Sequence, residues 1–152
     1  MKMNIYEVRK ETLRLKLKAP DDYIQTLNEN PEAIDHIANG VGSEENITYH
    51  ATPDTIECLN VNPSSHIHDW MYNFPEYFET FEEGMRWKKL ADDWFYENML
   101  TQINASWGWA FRQTRKVRAW FYYRMVRIFG TKSFWAGKKK PKDWREHREF
   151  FI

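Results

Sequence analysis

The side chains best suited to chemistry in this sequence are those of His68 and Asp69, which are adjacent, and of Tyr72, which follows them. An imidazole can accept or give a proton near neutral pH, and a carboxylate can bind a cation or orient a histidine. On a helix, His68 and Tyr72 lie one turn apart and stack on the same face. The trio suits a catalytic site. It equally suits a purely structural helix of the core whose buried face is bordered by polar residues.

The residues around this trio have the pattern of an amphipathic helix. Pro63 fits the first turn, and Ser64 can cap the free N–H groups of that turn. Ile67, Met71 and Phe74 fall at i, i+4 and i+7 and form one apolar stripe, with the histidine and the carboxylate at its edge. A helix of this kind would hold both groups rigidly while they reach a cleft.

A second carboxylate is expected to meet this helix. Residues 85–103 contain good helix formers and no proline, and Asp92 lies on the margin of their apolar face. That face consists of Ala91, Phe95, Met99 and either Ile103 or Gln102. Asp93 is turned by about 100° towards solvent. Because a buried carboxylate needs a partner and the connection between the helices is short, we expect an antiparallel pair that brings residues 68–69 and Asp92 together.

A glycine loop precedes the helix pair. Residues 39–42 read Asn-Gly-Val-Gly, and residues 31–38 before them predict a short helix that Asn39 and Gly40 end. Two glycines one residue apart allow main-chain carbonyl and N–H groups to turn towards a bound ion. The same residues also suit an ordinary turn.

Local patterns predict the other N-terminal elements. Residues 12–18 alternate polar and apolar side chains with a period of two, which predicts a half-buried strand. Pro20 and the two aspartates after it predict a helix start, and Pro31 predicts the end of that helix. Residues 44–62 are polar and rich in turns, so we expect a loop with a short strand or turn near residues 56–61.

The C-terminal third is basic and aromatic. Residues 107–129 predict a third long helix that Gly130 ends, with arginines around one apolar side. That side consists of Phe111, Val117, Phe121, Met125 and Ile128. We expect residues 131–152 to be partly disordered or laid along the surface. We interpret residues 1–136 as a single domain and residues 137–152 as a basic tail.

Charge is distributed unevenly along a chain whose formal net charge is zero. Residues 1–106 hold 9 basic and 19 acidic side chains, hence −10, and residues 107–152 hold 13 basic and 3 acidic ones, hence +10. A basic, Trp-rich segment favours a phosphate-bearing partner, either a lipid surface or nucleic acid. Docking of that segment onto the acidic part, within one molecule or in a homo-oligomer, explains the asymmetry equally well.

Length and composition exclude several classes of protein. A chain of 152 residues can bury a real core. Its single cysteine, Cys58, excludes an internal disulfide framework and any multi-Cys zinc site. No run approaches the ~20 apolar residues of a membrane span, and the N-terminus lacks the apolar region of a signal peptide. We therefore expect the protein to be cytoplasmic when synthesised.

In their order and spacing, these motifs resemble the phospholipase A2 superfamily. The likeness is closest to its short, disulfide-poor forms, such as the lipase domain of parvovirus capsid proteins. The chain is also similar to a family of phage and prophage proteins with an NGxG loop, an IHDxMY helix, an ADxxFxxNxL helix and an FGxxxFW ending. Here those motifs are residues 39–42, 67–72, 91–100 and 129–135, and the likeness covers about residues 37–136.

The resemblance implies a mainly α fold: a phospholipase A2-like core of antiparallel long helices, a glycine loop, and a small β or irregular N-terminal part. It implies that His68 is the general base that takes a proton from the attacking water. Asp92 would accept the other ring N–H of that histidine, and Tyr72 would hydrogen-bond Asp92. The implied reaction is hydrolysis of the sn-2 ester of a glycerophospholipid.

The resemblance also implies a calcium ion, Ca²⁺. Asp69 would supply carboxylate oxygens, and main-chain carbonyls around Asn39, Val41 and Gly42 would complete a shell that suits a hard cation. The ion would polarise the ester carbonyl. The basic, Trp-rich C-terminal third would lie on a phospholipid membrane surface. The many cysteines of the secreted enzymes are missing, so packing must supply the rigidity of the loop.

Two other functions fit parts of the sequence. A helical phosphohydrolase would draw transition-metal ligands from His36 or His50, His66, His68, Asp69 and Asp92. However, His66 and His68 point about 160° apart on a helix. A non-catalytic phage structural or host-interaction protein, associated with the virion, would use the basic third to contact a phage or host protein. Nucleic acid is the weaker partner, because no helix-turn-helix, zinc or RNA-binding signature appears.

Overall fold

The computed structural model describes residues 2–40, 55–56 and 59–151, with the main chain alone at 38–40. The protein is mainly helical, as predicted. Its helices are α1 (Ile5–Arg14), α2 (Asp21–Glu29), α3 (Pro31–Gly40), α4 (Asn62–Asn73), α5 (Phe81–Ala105), α6 (Trp109–Phe129), α7 (Thr131–Trp135) and a 3-10 helix, Trp144–Phe150. Strands β1 (Thr55–Ile56) and β2 (Leu59–Asn60) pair antiparallel, which confirms the short strand expected near residues 56–61. His50 and Cys58 fall outside the described residues.

Helices α4 and α5 form the antiparallel pair that the sequence predicts. At one end the Ser64 hydroxyl donates to Gln102 Oε1 at 2.6 Å. At the other end the Trp87 indole N–H donates to the carbonyl of Met71 at 2.8 Å. These contacts join the start of each helix to the end of the other, so the two helices run antiparallel. The short connection at residues 74–80 favours this direction.

Helix α6 continues the antiparallel arrangement on the other side of α5. The Lys88 ammonium donates to the carbonyl of Val126 at 2.9 Å, and the rings of Tyr96 and Tyr123 stack with centroids 5.1 Å apart. Gly108, in the turn between the two helices, has a φ of +90°, which favours glycine. The chain therefore reverses tightly between two helices of 25 and 21 residues.

Helix α4 lies at the centre of the molecule, with α1 and α3 against it on one side and α5 on the other. It begins at Asn62 and carries Pro63 in its first turn, close to the predicted start. Its apolar residues Ile67 and Met71 are buried, and so are the polar side chains of Ser64, Ser65, His66 and His68. A helix that is polar and yet buried needs internal hydrogen-bond partners, and these define the site.

The strand predicted over residues 12–18 is wrong, because helix α1 takes up its first three residues. Ile5, Val8 and Thr12 are buried at helical spacing, so a period near 3.6 prevails over the period of two. The Asn4 side chain accepts from the N–H of Glu7, and the Glu7 side chain accepts from the N–H of Asn4. This is a capping box that starts the helix.

The apolar side predicted for the third long helix faces solvent. Phe111, Val117, Phe121 and Ile128 are all more than half exposed, whereas Met125 is partly buried. The side of α6 that is buried against the rest of the molecule carries Arg115, Ala119 and Val126. Small or hydrogen-bonded side chains permit the close approach to α5, and the bulky apolar ones are left outside.

The chain after α7, here called the C-terminal segment (residues 136–151), lies along the connection between α4 and α5. The main-chain N–H groups of Lys139 and Lys142 donate to the carbonyls of Glu76 and Glu79 at 3.0 and 2.9 Å. The ring of His147 stacks on Phe81 with centroids 3.8 Å apart. The segment is thus held on the surface by both main-chain and ring contacts, so of the two expectations for these residues the structure confirms the one of a segment laid along the surface.

Among the described helices, none combines the length and apolar composition that crossing a bilayer requires.

Candidate functional site

The buried hydrogen-bond network between α4 and α5 centres on Asp92. His68 and Tyr72 lie one turn apart on α4, and both reach Asp92 on the facing helix. The distance from His68 Nε2 to Asp92 Oδ1 is 2.7 Å, and the Tyr72 hydroxyl donates to the same oxygen at 2.7 Å. His68 and Asp92 are 1% and 0% exposed. The structure therefore brings the three predicted catalytic residues together.

Two cations that the sequence analysis missed complete the surroundings of Asp92. Lys88, fully buried and one turn earlier on α5, donates from Nζ to Asp92 Oδ2 at 2.8 Å. Arg127 on α6 donates from a guanidinium nitrogen to the same oxygen at 2.9 Å. The spacing of Lys88 and Asp92 at i, i+4 was visible in the sequence. The contribution of Arg127 was not, because it depends on how α6 packs.

The network keeps Asp92 ionised. Burial alone would raise the pKa of this carboxyl, but the hydrogen bond with His68 and the charge of Lys88 outweigh burial and hold the pKa well below its usual range. Burial, reinforced by Asp92, raises the pKa of the Tyr72 hydroxyl well above its usual value. Burial lowers the pKa of the Lys88 ammonium, against the opposing effect of Asp92. At neutral pH, Tyr72 therefore remains a hydrogen-bond donor to an anionic Asp92.

The contacts of His68 define which ring nitrogen is available. Because an ionised Asp92 can only accept hydrogen bonds, Nε2 carries the hydrogen of the neutral ring tautomer and donates it to Asp92. Its Nδ1 then carries a lone pair, and it has no hydrogen-bond partner among the residues that the structure describes. The rings of Tyr72 and Phe95, with centroids 4.1 and 4.7 Å away, fix its orientation.

Asp69 lies next to that lone pair. Its Oδ1 is 4.0 Å from His68 Nδ1, and 32% of its side chain is exposed. The hydroxyl of Tyr23 on α2 is buried and has no hydrogen-bond partner in the described part of the chain. Burial raises the pKa of Tyr23, and the negative charge of Asp69 raises it further, so this hydroxyl lies within the field of the Asp69 carboxylate. The imidazole nitrogen and the carboxylate thus lie side by side on α4, and the charge of that carboxylate reaches the Tyr23 phenol.

The predicted calcium ligands are only partly described. Asn39 is the penultimate residue of α3, which packs on α4. The last carbonyls of a helix have no intrahelical partner and carry partial negative charge. Helix-end carbonyls and the Asp69 carboxylate are oxygen donors of the type that calcium takes, so these residues fit the ion. Val41 and Gly42, the other two predicted ligands, lie outside the described residues.

The described members of the alternative phosphohydrolase set do not form a metal site. Within the described ranges, the one group whose His, Asp and Glu ligand atoms lie close enough together to share an ion is Asp143, Glu146 and His147. Asp143 already accepts the N–H of Phe81 at 2.9 Å, at the start of α5. That group is therefore explained by its role at the start of a helix.

The choice between the two adjacent aspartates is clear. Asp93 lies near the surface, where it accepts from Lys89 Nζ at 2.6 Å and from the Tyr123 hydroxyl at 2.8 Å. Asp92 alone faces His68, as its position on the margin of the apolar face predicted.

Comparison of the chain with known protein families, with curated protein sequences and with solved structures finds no match.

Proposed function

We propose that this protein is a calcium-dependent hydrolase of the phospholipase A2 type, which acts on the sn-2 ester of glycerophospholipids. The observation that carries the proposal is the state of His68. One ring nitrogen is held by Asp92 at 2.7 Å, and the other, at Nδ1, is 4.0 Å from the carboxylate of Asp69. This is the arrangement that a general base beside a cation ligand requires. The antiparallel pair α4–α5, which presents these side chains, supports a phospholipase A2-like core.

The proposed reaction uses His68 as base and then as acid. Nδ1 accepts a proton from a water molecule while the water oxygen bonds to the ester carbonyl carbon. The bond from that carbon to the glycerol oxygen then breaks, and the proton on Nδ1 passes to the departing oxygen. The products are a fatty acid and a lysophospholipid. Asp92 stabilises the imidazolium between the two transfers, and Tyr72 and Lys88 keep that carboxylate in place.

Calcium, when bound, would polarise the ester carbonyl and stabilise negative charge on its oxygen. In this chain Asp69 and the carbonyl of Asn39 are the described residues that would hold it, with Val41 and Gly42 as further proposed ligands. The proton transfers themselves depend on His68 and Asp92.

The second candidate is a non-catalytic phage structural or host-interaction protein on the same helical scaffold. The observation that favours it is the burial of His68, which is 1% exposed and therefore inaccessible to a lipid substrate in this conformation. In that case the network around Asp92 serves only to hold α4, α5 and α6 together.

The deciding experiment measures fatty-acid release from mixed phospholipid vesicles, with calcium or with excess chelator. The proposal expects calcium-dependent release that Asp69→Asn and His68→Gln abolish while the circular dichroism spectrum stays unchanged. Asp93→Asn is the matched control, since it changes a neighbouring aspartate outside the network and should keep full activity. No release by the folded wild-type protein, or release that persists in both site variants, would contradict the proposal and favour the scaffold.

A further inference from the structure

The outer face of α6 is an apolar surface that no element in the described part of the chain covers. We define it by Trp109, Phe111, Val117, Trp120, Phe121 and Ile128, whose side chains range from 52% exposed at Trp120 to 71% at Trp109. Val117, Phe121 and Ile128 fall at i, i+4 and i+11, so they run in one line along the helix. Six large apolar side chains on one helix, each more than half exposed, indicate a binding surface rather than scattered single exposures.

The charges carried by α6 itself and by the chain that follows it up to residue 142 are of one sign. Residues 107–142 contain eleven lysines and arginines and no aspartate or glutamate. Arg115 and Arg127 turn inwards, to Ser106 and Asp92, but Arg124 is exposed in the line of the face between Phe121 and Ile128. The surface is therefore complementary to a partner that is apolar at depth and negatively charged at its boundary.

A bilayer with anionic headgroups has that chemistry. Helices that lie in a membrane interface carry tryptophan, phenylalanine and aliphatic residues on one face together with arginine or lysine. The Arg124 guanidinium lies 5.9 Å from the centroid of the Trp120 ring, so both groups would meet the headgroup level together. The aliphatic and phenyl side chains beside them would enter the acyl boundary.

A second copy of the chain is a poorer occupant. A two-fold dimer through the outer face would place the same basic helix against itself. Arg124 would then approach the basic side chains of the second α6, and no acidic side chain between residues 107 and 142 would compensate it.

We propose that the outer face of α6 is a docking surface for anionic phospholipid bilayers. It binds the bilayer through apolar contact and basic charge, and it does so without calcium and without the His68–Asp92 network. The proposal thus goes beyond the proposed hydrolysis and stands apart from it. If both hold, this face brings the protein to the surface that contains its substrate.

The test is co-sedimentation of the full chain with vesicles of phosphatidylglycerol and phosphatidylcholine in equal parts, and with vesicles of phosphatidylcholine alone, all in excess chelator. We expect binding to the anionic vesicles that weakens as salt rises, because salt screens the charge component. Phe121→Ala should lower the partition coefficient about tenfold, from the lost apolar burial. Arg124→Gln should lower it about fivefold.

Matched variants on other surfaces serve as controls. Leu13→Ala on α1 removes an exposed aliphatic side chain, and Arg86→Gln on α5 removes an exposed arginine, so both should bind as wild type. Asp69→Asn should also bind as wild type, which separates docking from hydrolysis.

Three results would overturn the proposal. The first is equal binding to both kinds of vesicle, and the second is no binding to either. The third is a dimer in sedimentation that Phe121→Ala dissociates, which would assign the face to a second copy. Each variant changes an exposed side chain, and an unchanged thermal unfolding curve would exclude misfolding as the cause of lost binding.

Discussion

Replacing Asp92 by asparagine removes the negative charge that pairs with two cations, the buried Lys88 and the partly buried Arg127. Arg127 is partly exposed and can turn into water, but Lys88 is fully buried and cannot. Removing one partner of a buried ion pair typically costs about 3–5 kcal/mol. If Lys88 instead loses its proton at pH 7, the cost is roughly 1.4 kcal/mol for each pH unit below its ordinary pKa of about 10.4, close to 5 kcal/mol. The two routes agree, and Asp92→Asn should lower the free energy of unfolding by about 3–5 kcal/mol.

The assay is urea unfolding followed by circular dichroism, on Asp92→Asn, Lys88→Met and the double variant. Lys88→Met should cost less than about 1 kcal/mol, because Asp92 keeps three donors and the methionine fills the same volume. The double variant should recover most of the loss, since no uncompensated lysine remains. In the single Asp92→Asn variant the folded state would bind fewer protons at Lys88 than the unfolded state does, so its stability should rise from pH 7 to pH 9.

A neighbouring pair provides the matched control. Lys89 and Asp93 have the same i, i+4 spacing one residue along, but Lys89 is 62% exposed. Asp93→Asn should therefore change the free energy of unfolding by less than about 1 kcal/mol. The reasoning is refuted if Asp92→Asn is as mild as Asp93→Asn, or if adding Lys88→Met recovers none of the lost stability.

Three further predictions concern stability. Gly84→Ala should lower the free energy of unfolding by about 1–3 kcal/mol in urea, although alanine favours helices, because its Cβ would lie 2.2 Å from Cη2 of the buried Trp135; a more stable variant would contradict this. Asn98→Ala should cost about 2 kcal/mol in the same assay, since both its hydrogen bonds to the main chain of Lys18, at 2.8 Å each, are lost; a loss below about 0.5 kcal/mol would refute it. The lowered pKa of Asp92 gives stability above about pH 4 that is lost as pH falls towards the lower folded-state pKa; an acid-unfolding curve of Asp92→Asn that keeps the full wild-type loss would disprove this.

The helix pair and the contact between His68 and Asp92 could be predicted because they depend on local spacing. Apolar residues at helical intervals fix which side of each helix is buried, and a short connection fixes the direction of the second helix. The position of Asp92 beside the apolar face, one residue from the more exposed Asp93, then follows from the 100° turn per residue.

The features that could not be predicted depend on contacts between distant parts of the chain. Hydropathy places Lys88 on a surface, and only Asp92 together with the carbonyl of Val126 makes its burial tolerable. The side of α6 that faces inwards is chosen by the close approach to α5, which favours Ala119 over Val117. At the N-terminus, the capping box of Asn4 and Glu7 has a recognisable sequence pattern and would have predicted a helix. The alternation over residues 12–18 favoured a strand instead.

Because the chain is synthesised from its N-terminus, the contacts of the C-terminal segment can form only after the helix pair α4–α5 has been made. A nascent chain that has emerged through α5 already contains His68 and Asp92, but it lacks Arg127 on α6. In the connection between α4 and α5, the carbonyls of Glu76 and Glu79 accept from the main-chain N–H groups of Lys139 and Lys142, which are translated later still. The helix pair therefore spends part of its synthesis with the Asp92 network incomplete. Its final environment forms only once residue 142 has left the ribosome.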